Sequence, residues 1–231
     1  MERIPEPELM EKKEQVISYD EADFSEGEVN LINQISHYIL KKNISLDDKD
    51  LIVDLGCGPG NISQKLALKW PMTNVVGIDG SKEMVLRAEY NKEISTNKKE
   101  LKNLRYICCD IKDIKSINFL LKRKISLLVS NSLIHHITNL EDFFNTIRGL
   151  SNGTTINFHK DLKRPLDEKS ALELKLQCST KYNEILTNDY YSSLRASYTF
   201  KELKNFTLEN NLSSLDVFED GNKYLIVYGN V

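Results

Sequence analysis

The sequence is poor in the residues that build disulfide scaffolds and metal centres. Its 231 residues include four cysteines, Cys57, Cys108, Cys109 and Cys178, and four histidines. No two cysteines form a CxxC pair, and no His/Cys/carboxylate spacing matches a ligand pattern, so no metal is expected. Free thiols in a reducing compartment follow, with Cys108 and Cys109 read as small buried side chains of a strand. Long apolar runs are also missing, and nothing approaches the roughly 20 residues that span a bilayer. The opening MERIPEPELMEKKEQ lacks the apolar core of a signal peptide, so the expected location is the cytoplasm. Neither sign of charge dominates: 31 Lys+Arg against 34 Asp+Glu give a formal net charge of -3. That balance removes any general pull toward nucleic acid or an anionic membrane. Three short basic runs, Lys41-Lys42, Lys98-Lys99 and Lys122-Arg123-Lys124, read as solvated helix ends or loops.

What is present is a globular balance, 40% hydrophobic and 28% charged. The length suits one domain over 1–231 with a single core, and leaves room for a lid. Residues 1–27 read as a polar N-terminal extension. Helical spacing of Val29, Leu31, Ile32, Ile35, Ile39 and Leu40 predicts a helix over 27–42. The chain then alternates. Strands are predicted at 51–55, 74–78, 105–109, 127–130 and 154–158, with helices at 61–69, 81–90 and 141–150. Such alternation implies parallel strands joined by crossover helices. The ending differs. One long helix is expected at 169–186, and another at 199–210, opened by the capping box Thr-Phe-Lys-Glu. Two strands, 214–218 and 223–228, form a hairpin about Glu219-Asp220-Gly221-Asn222.

Gly56, Gly58 and Gly60 stand between the first strand and the helix after it. Glycine permits positive φ and lets backbone approach a ligand closely, and the helix N-terminus offers free N–H groups. A dinucleotide fingerprint would need a third glycine at Asn61, so that reading is weak. The turn could also serve tight geometry alone. Asp79 ends the second strand about 25 residues on, near the offset at which a carboxylate meets ribose hydroxyls. It could equally cap the helix that follows.

Four segments, in order, resemble the motifs of class I S-adenosylmethionine-dependent methyltransferases. VDLGCGPG (53–60) resembles their first motif and GIDGSKEMVLRAE (77–89) their second. CCDIKD (108–113) resembles the adenine-contacting segment, and LLVSNSLIHHI (127–137) the fourth motif. The resemblance covers roughly residues 28–160. PEPELM, YDEADF and DLKRP also look like an uncharacterised branch of this superfamily. The fold it implies is α/β and Rossmann-like: a seven-stranded, mostly parallel sheet with an antiparallel C-terminal hairpin and helices on both faces. The cofactor it implies is S-adenosyl-L-methionine, with S-adenosyl-L-homocysteine as product. Gly56, Cys57 and Gly58 would meet the methionine moiety and Asp54 its ammonium. Asp79 would hold the ribose. Gly80, Ser81 and Met84 would line ribose and adenine, with Asp110 and Ile111 on the adenine. Asn131 or Ser130 would lie near the methionine end, and Tyr19, in the cofactor-covering extension 1–27, would close over the cofactor.

Methyl transfer from a sulfonium is an in-line displacement in which alignment matters most, and a hydroxyl acceptor adds a need for a base. His159 and His136 are the base candidates, along with His135, all of which could instead be structural. Asp161 and Arg164, with Lys163, stand where relatives hold substrate, or form a solvated loop. Tyr190 and Tyr191 could make an aromatic lid or cage, or simply pack. The insertion 159–198 is thus the expected acceptor region. The expected acceptor is a small polar metabolite, with no nucleic acid or membrane partner, and the protein a monomer or homodimer. A protein or RNA methyltransferase, or a non-catalytic cofactor-binding relative, are the alternatives.

Overall fold

The computed structural model describes residues 1–7, 9–97, 99–117, 120 and 122–231. Glu8 of the PEPELM segment and Lys98 of the second basic run lie outside them. Seven strands form one sheet in the order β3-β2-β1-β4-β5-β7-β6. They are β1 Asp50–Leu55, β2 Asn74–Asp79, β3 Leu104–Cys108, β4 Lys124–Asn131, β5 Ile156–Leu162, β6 Leu215–Asp220 and β7 Tyr224–Asn230. β1 to β5 run parallel, and β7 is antiparallel to both β5 and β6. This is the sheet expected from the sequence.

The period-two rule divides the core between the faces. Leu51, Val53 and Leu55 of β1 join the cluster that includes Phe143, Phe144 and Ile147. Those aromatics belong to α5, Leu140–Leu150, which Asn139 caps by accepting from the Glu141 N–H at 3.0 Å. Ile52 points the other way, into a cluster with Leu31 and Ile35 of α2, Ser25–Lys41, and Leu66 of α3, Asn61–Lys69. The second crossover helix, α4, spans Lys82–Ile94.

Two expectations about the fold need correction, and the N-terminal extension gains an element: Lys13–Asp20 forms α1. Asp20 ties it to α4 through an ion pair with Arg87 at 2.5 Å. The long helix expected at 169–186 is two, α6 Glu168–Ser179 and α7 Glu184–Ala196. Asn183 accepts from the Leu186 N–H at 3.0 Å and starts the second, a cap that the continuous apolar spacing conceals. Finally, β5 runs four residues past its expected end, so positions 159–162 of the expected insertion are sheet. The last helix, α8 Phe200–Glu209, opens on the expected capping box, with Thr199 and Glu202 bonded reciprocally.

Candidate active site

The glycine turn stands at the carboxyl ends of the parallel strands, where such sheets form clefts. Gly56 and Gly58 have φ of 66° and 52°, a region that costs glycine little and other residues much. A Cβ on Gly56 would lie 2.7 Å from Leu133 Cδ1, whereas one on Gly58 would meet nothing within 4 Å. The second glycine therefore presents bare backbone to open space. The N–H groups of Gly56 and Cys57 donate to the Ile78 carbonyl at 2.8 and 3.0 Å, which ties the turn to β2. Asp79 then closes the arrangement. One carboxylate oxygen accepts from the Gly58 N–H at 2.9 Å and the other from the Ser81 N–H at 2.8 Å. Burial raises its pKa, and those two N–H groups oppose the rise. Each oxygen keeps a free lone pair for a ligand hydroxyl.

Asp54, the last polar residue of β1, is 1% exposed and accepts from the Ser63 hydroxyl at 2.5 Å. Burial pushes its pKa up to about 7, opposed by Ser63 and reinforced by the neighbouring charge of Asp79. Below about pH 7 the free protein therefore holds a proton on this carboxyl that an unfolded chain releases near pH 4. A cationic ammonium bound beside it favours the carboxylate. Cofactor binding at about pH 6 is thus expected to release a proton, and affinity to rise as the pH climbs through about 7. Calorimetry in two buffers of different protonation enthalpy reads that proton. Asp54→Asn should abolish it, and an unchanged signal would remove Asp54 from this role.

A cavity of about 1090 Å³ opens above the turn. Tyr19, Asp54, Gly56, Cys57, Gly58, Asp79, Gly80, Met84, Asp110, Ile111 and Asn131 all line it. Ser81 does not. Its hydroxyl caps α4, accepting from the Met84 N–H at 3.3 Å, and donates to the Met10 carbonyl at 2.7 Å. Asp110 accepts from the Lys112 N–H at 2.8 Å through one oxygen, leaving the other free. Of the adjacent cysteines, Cys109 is on the cavity wall and Cys108 is exposed rather than buried, because β3 is a sheet edge.

The expected acceptor residues divide sharply. His136 and Tyr190 line the cavity; His159, Asp161, Arg164 and Tyr191 do not. The lengthened β5 explains most of this. His159 sits within the strand, fully buried, with its ring 3.0 Å from Ser130 Oγ and edge-on to Phe143. Burial holds its pKa down at about 3, so it is a sealed neutral ring and not a base for the cleft. Asp161, two residues on, faces the same side and accepts from the Ile134 N–H and His135 Nδ1, each at 2.5 Å. It positions the cavity wall instead of touching a substrate. Arg164 is buried against Glu202 at 2.6 Å. Tyr191 bonds Glu168 on the exposed side of α7, away from the cavity that Asp189 and Tyr190 line.

Sequence reasoning missed Glu6, Gln15, Lys160 and Tyr224, which all line the cavity. Correct bounds for β5 would have placed Lys160 on the face opposite His159. Nothing local marks the others, which depend on how the N-terminal segment docks. That segment is held firmly. Arg3 donates to the carbonyls of Ala196 at 2.5 Å and Ile137 at 2.9 Å and lies over the Tyr198 ring. Gln15 donates to Asp189 at 2.9 Å, and Ser18 to Asn183 at 2.7 Å.

A parallel sheet with a glycine turn, a carboxylate after the second strand and a deep cleft beyond the strand ends defines a binder of nucleoside-bearing cofactors. Comparison with known proteins narrows the class. Residues 46–197 match the family model described as "Methyltransferase domain". A trans-aconitate 2-methyltransferase of Azoarcus sp. (strain BH72) is 49% identical over 49 residues, 21% of this chain and 19% of that protein. The chain thus spans about a fifth of the length of the curated relatives it matches. The plantazolicin methyltransferase BpumL, in complex with a pentazolic desmethylPZN analog and SAH, has the same fold. Its TM-score is 0.69 at 17% identity, over 95% of this chain and 91% of that one. A SAM-dependent methyltransferase from Aquifex aeolicus superposes with TM-score 0.59 at 16% identity, covering 95% and 98%. The chain belongs to the methyltransferase domain family, and the fold neighbour above holds SAH, the product form of S-adenosylmethionine. The bare backbone at Gly58 and the unspent lone pairs of Asp79 fit that cofactor. No helix among the described residues is long and apolar enough to cross a membrane.

Proposed function

We propose that this protein methylates a small polar metabolite, seated between the ends of β4 and β5, the N-terminal segment and α6–α7. The observation that carries this reading is the cavity's roof, which is made of the chain itself. Residues 1–7 and α1 are bonded to α7 across the opening. A cavity of about 1090 Å³ is at the upper end of small-molecule sites, which run to roughly 1,000 Å³, and suits a cofactor together with a small acceptor. A roof bonded in this way favours a small acceptor over a folded protein or an RNA helix.

The acceptor side of the cavity is polar and of mixed charge. Lys160 pairs with Asp220 at 2.6 Å, beneath the Tyr224 ring. Asp189 takes Gln15 on one oxygen, while its buried Oδ2 has no partner. A buried acceptor without a donor favours a ligand that brings a hydroxyl or amine. Bound S-adenosylmethionine supplies a methyl group already activated on a sulfonium. The residues supply the alignment: Asp79 and Asp110 for the nucleoside, Asp54 and the glycine turn for the amino acid part, Tyr19 as cover, Tyr190 and Asp189 for the acceptor. Where the acceptor must lose a proton, the adjacent rings of His135 and His136 are the imidazoles on the wall among the described residues.

Incubation with methyl-labelled cofactor and a cell extract divided into metabolite, protein and RNA fractions tests the reading. Label is expected in a compound of the metabolite fraction, identified by mass spectrometry. Label confined to protein or RNA would overturn it.

A further inference from the structure

Among the described residues, one group of side chains converges as metal ligands do. Glu6, from the N-terminal segment, meets His135 and His136, from the turn after β4, and their nearest ligand atoms all lie within 4.8 Å of one another. Glu6 Oε1 is 3.4 Å from His136 Nδ1 and 3.6 Å from His135 Nε2. Both separations are too long for a good hydrogen bond, which wants about 2.7–3.2 Å. They match the edge of a tetrahedron: metal bonds of about 2.0–2.2 Å put neighbouring ligand atoms roughly 3.4 Å apart.

The imidazole nitrogens turned away from Glu6 are already engaged. His135 directs Nδ1 at Asp161 Oδ1, 2.5 Å away, so the proton of the neutral ring sits there and Nε2 is left as a lone pair. A carboxylate behind a histidine is how metal-binding imidazoles are generally held in the right tautomer. The His136 ring is engaged by the Pro7 carbonyl, while its Nδ1 is buried with no hydrogen-bond partner. Glu6 Oε1, the oxygen that faces both rings, is held in place by the Ser193 hydroxyl, which donates to it at 3.0 Å. A buried, unpartnered imidazole nitrogen is costly unless something occupies it.

We infer that Glu6, His135 and His136 form a site for a divalent transition-metal ion of the zinc class, with its remaining coordination position open to the cavity. All three residues line that cavity. The ion would fasten the N-terminal roof to the β4–β5 wall. Resting on the reading above for where the acceptor lies, it would also offer an acceptor oxygen or sulfur a Lewis acid. Two histidines and one carboxylate with an open position form a set that zinc and its neighbours accept.

The test is titration of the full chain with Co²⁺, followed by Zn²⁺. Saturation at one equivalent is expected, with the intense visible bands of low-coordinate cobalt, and zinc should displace them. Glu6→Gln and His136→Gln should each weaken binding at least tenfold, and His37→Gln, on the exposed side of α2, should not. Affinity for S-adenosylhomocysteine, measured in each variant, shows that the fold persists and stands or falls independently of the metal. Absence of saturable cobalt binding by the unmodified protein would overturn the site. So would Glu6→Gln and His136→Gln proteins that retain the cofactor product and bind cobalt as tightly as the parent.

Discussion

Asp79→Ala is expected to lower affinity for S-adenosylhomocysteine by roughly 100-fold, with a smaller fall in melting temperature than Asp161→Ala gives, because the two N–H bonds it breaks are partly rather than fully buried. The carboxylate is partly buried on the cavity wall, and each oxygen already accepts one backbone N–H. It remains able to accept from both ribose hydroxyls. Hydrogen bonds to a charged group contribute about 1.5–3 kcal/mol each, so losing two exceeds the roughly 1.4 kcal/mol of one tenfold step several times over. The variant also leaves the Gly58 N–H without its partner, which loosens the turn at the point where it must present bare backbone. Asp79→Asn keeps the shape and one good acceptor, and should lose closer to tenfold. Calorimetry distinguishes the three proteins. Equal affinities would show that the ribose is held elsewhere and that Asp79 serves only the turn and the start of α4.

Asp161→Ala should be the most damaging single change to stability in this region. Asp161 is 3% exposed and accepts three bonds: from the Ile134 N–H at 2.5 Å, His135 Nδ1 at 2.5 Å and the Leu162 N–H at 2.7 Å. Truncation strands two backbone donors and an imidazole in the interior, a loss of about 3–5 kcal/mol by comparison with other broken buried polar networks. For a chain of this size that is a fall in Tm on the order of 10 °C. Asp161→Asn retains an acceptor oxygen and should fall roughly half as far. Activity should decline in parallel, because residues 132–136 form the cavity wall that Asp161 holds. A Tm within a degree or two of the parent would show that these bonds are replaceable and that Asp161 is not the anchor of this turn.

The sequence and structure agree most closely where chemistry is local. Short parallel strands, the glycine turn, the carboxylate closing β2 and the Thr199–Glu202 capping box each depend on residues a few positions apart, and all stand where expected. They disagree where a single boundary controls many side chains. Ending β5 at Phe158 makes His159 and Asp161 loop residues with access to the cleft. Continuing the strand to Leu162 seals His159 under Phe143 and turns Asp161 toward His135. The break at 180–183 has the same character, since a polar cap inside an apolar spacing is invisible to periodicity.

The sequence by itself determined the sheet, the family and the glycine turn and Asp79 that line the cavity, because turn geometry and a carboxylate closing a strand are local features. Only the tertiary structure decided which residues meet at the proposed acceptor end of the cavity. Glu6, Gln15, Lys160 and Asp189 come from the N-terminal segment, β5 and α7. No spacing within one stretch of chain encodes their meeting, which follows from the docking of Arg3 and α1 across the cleft.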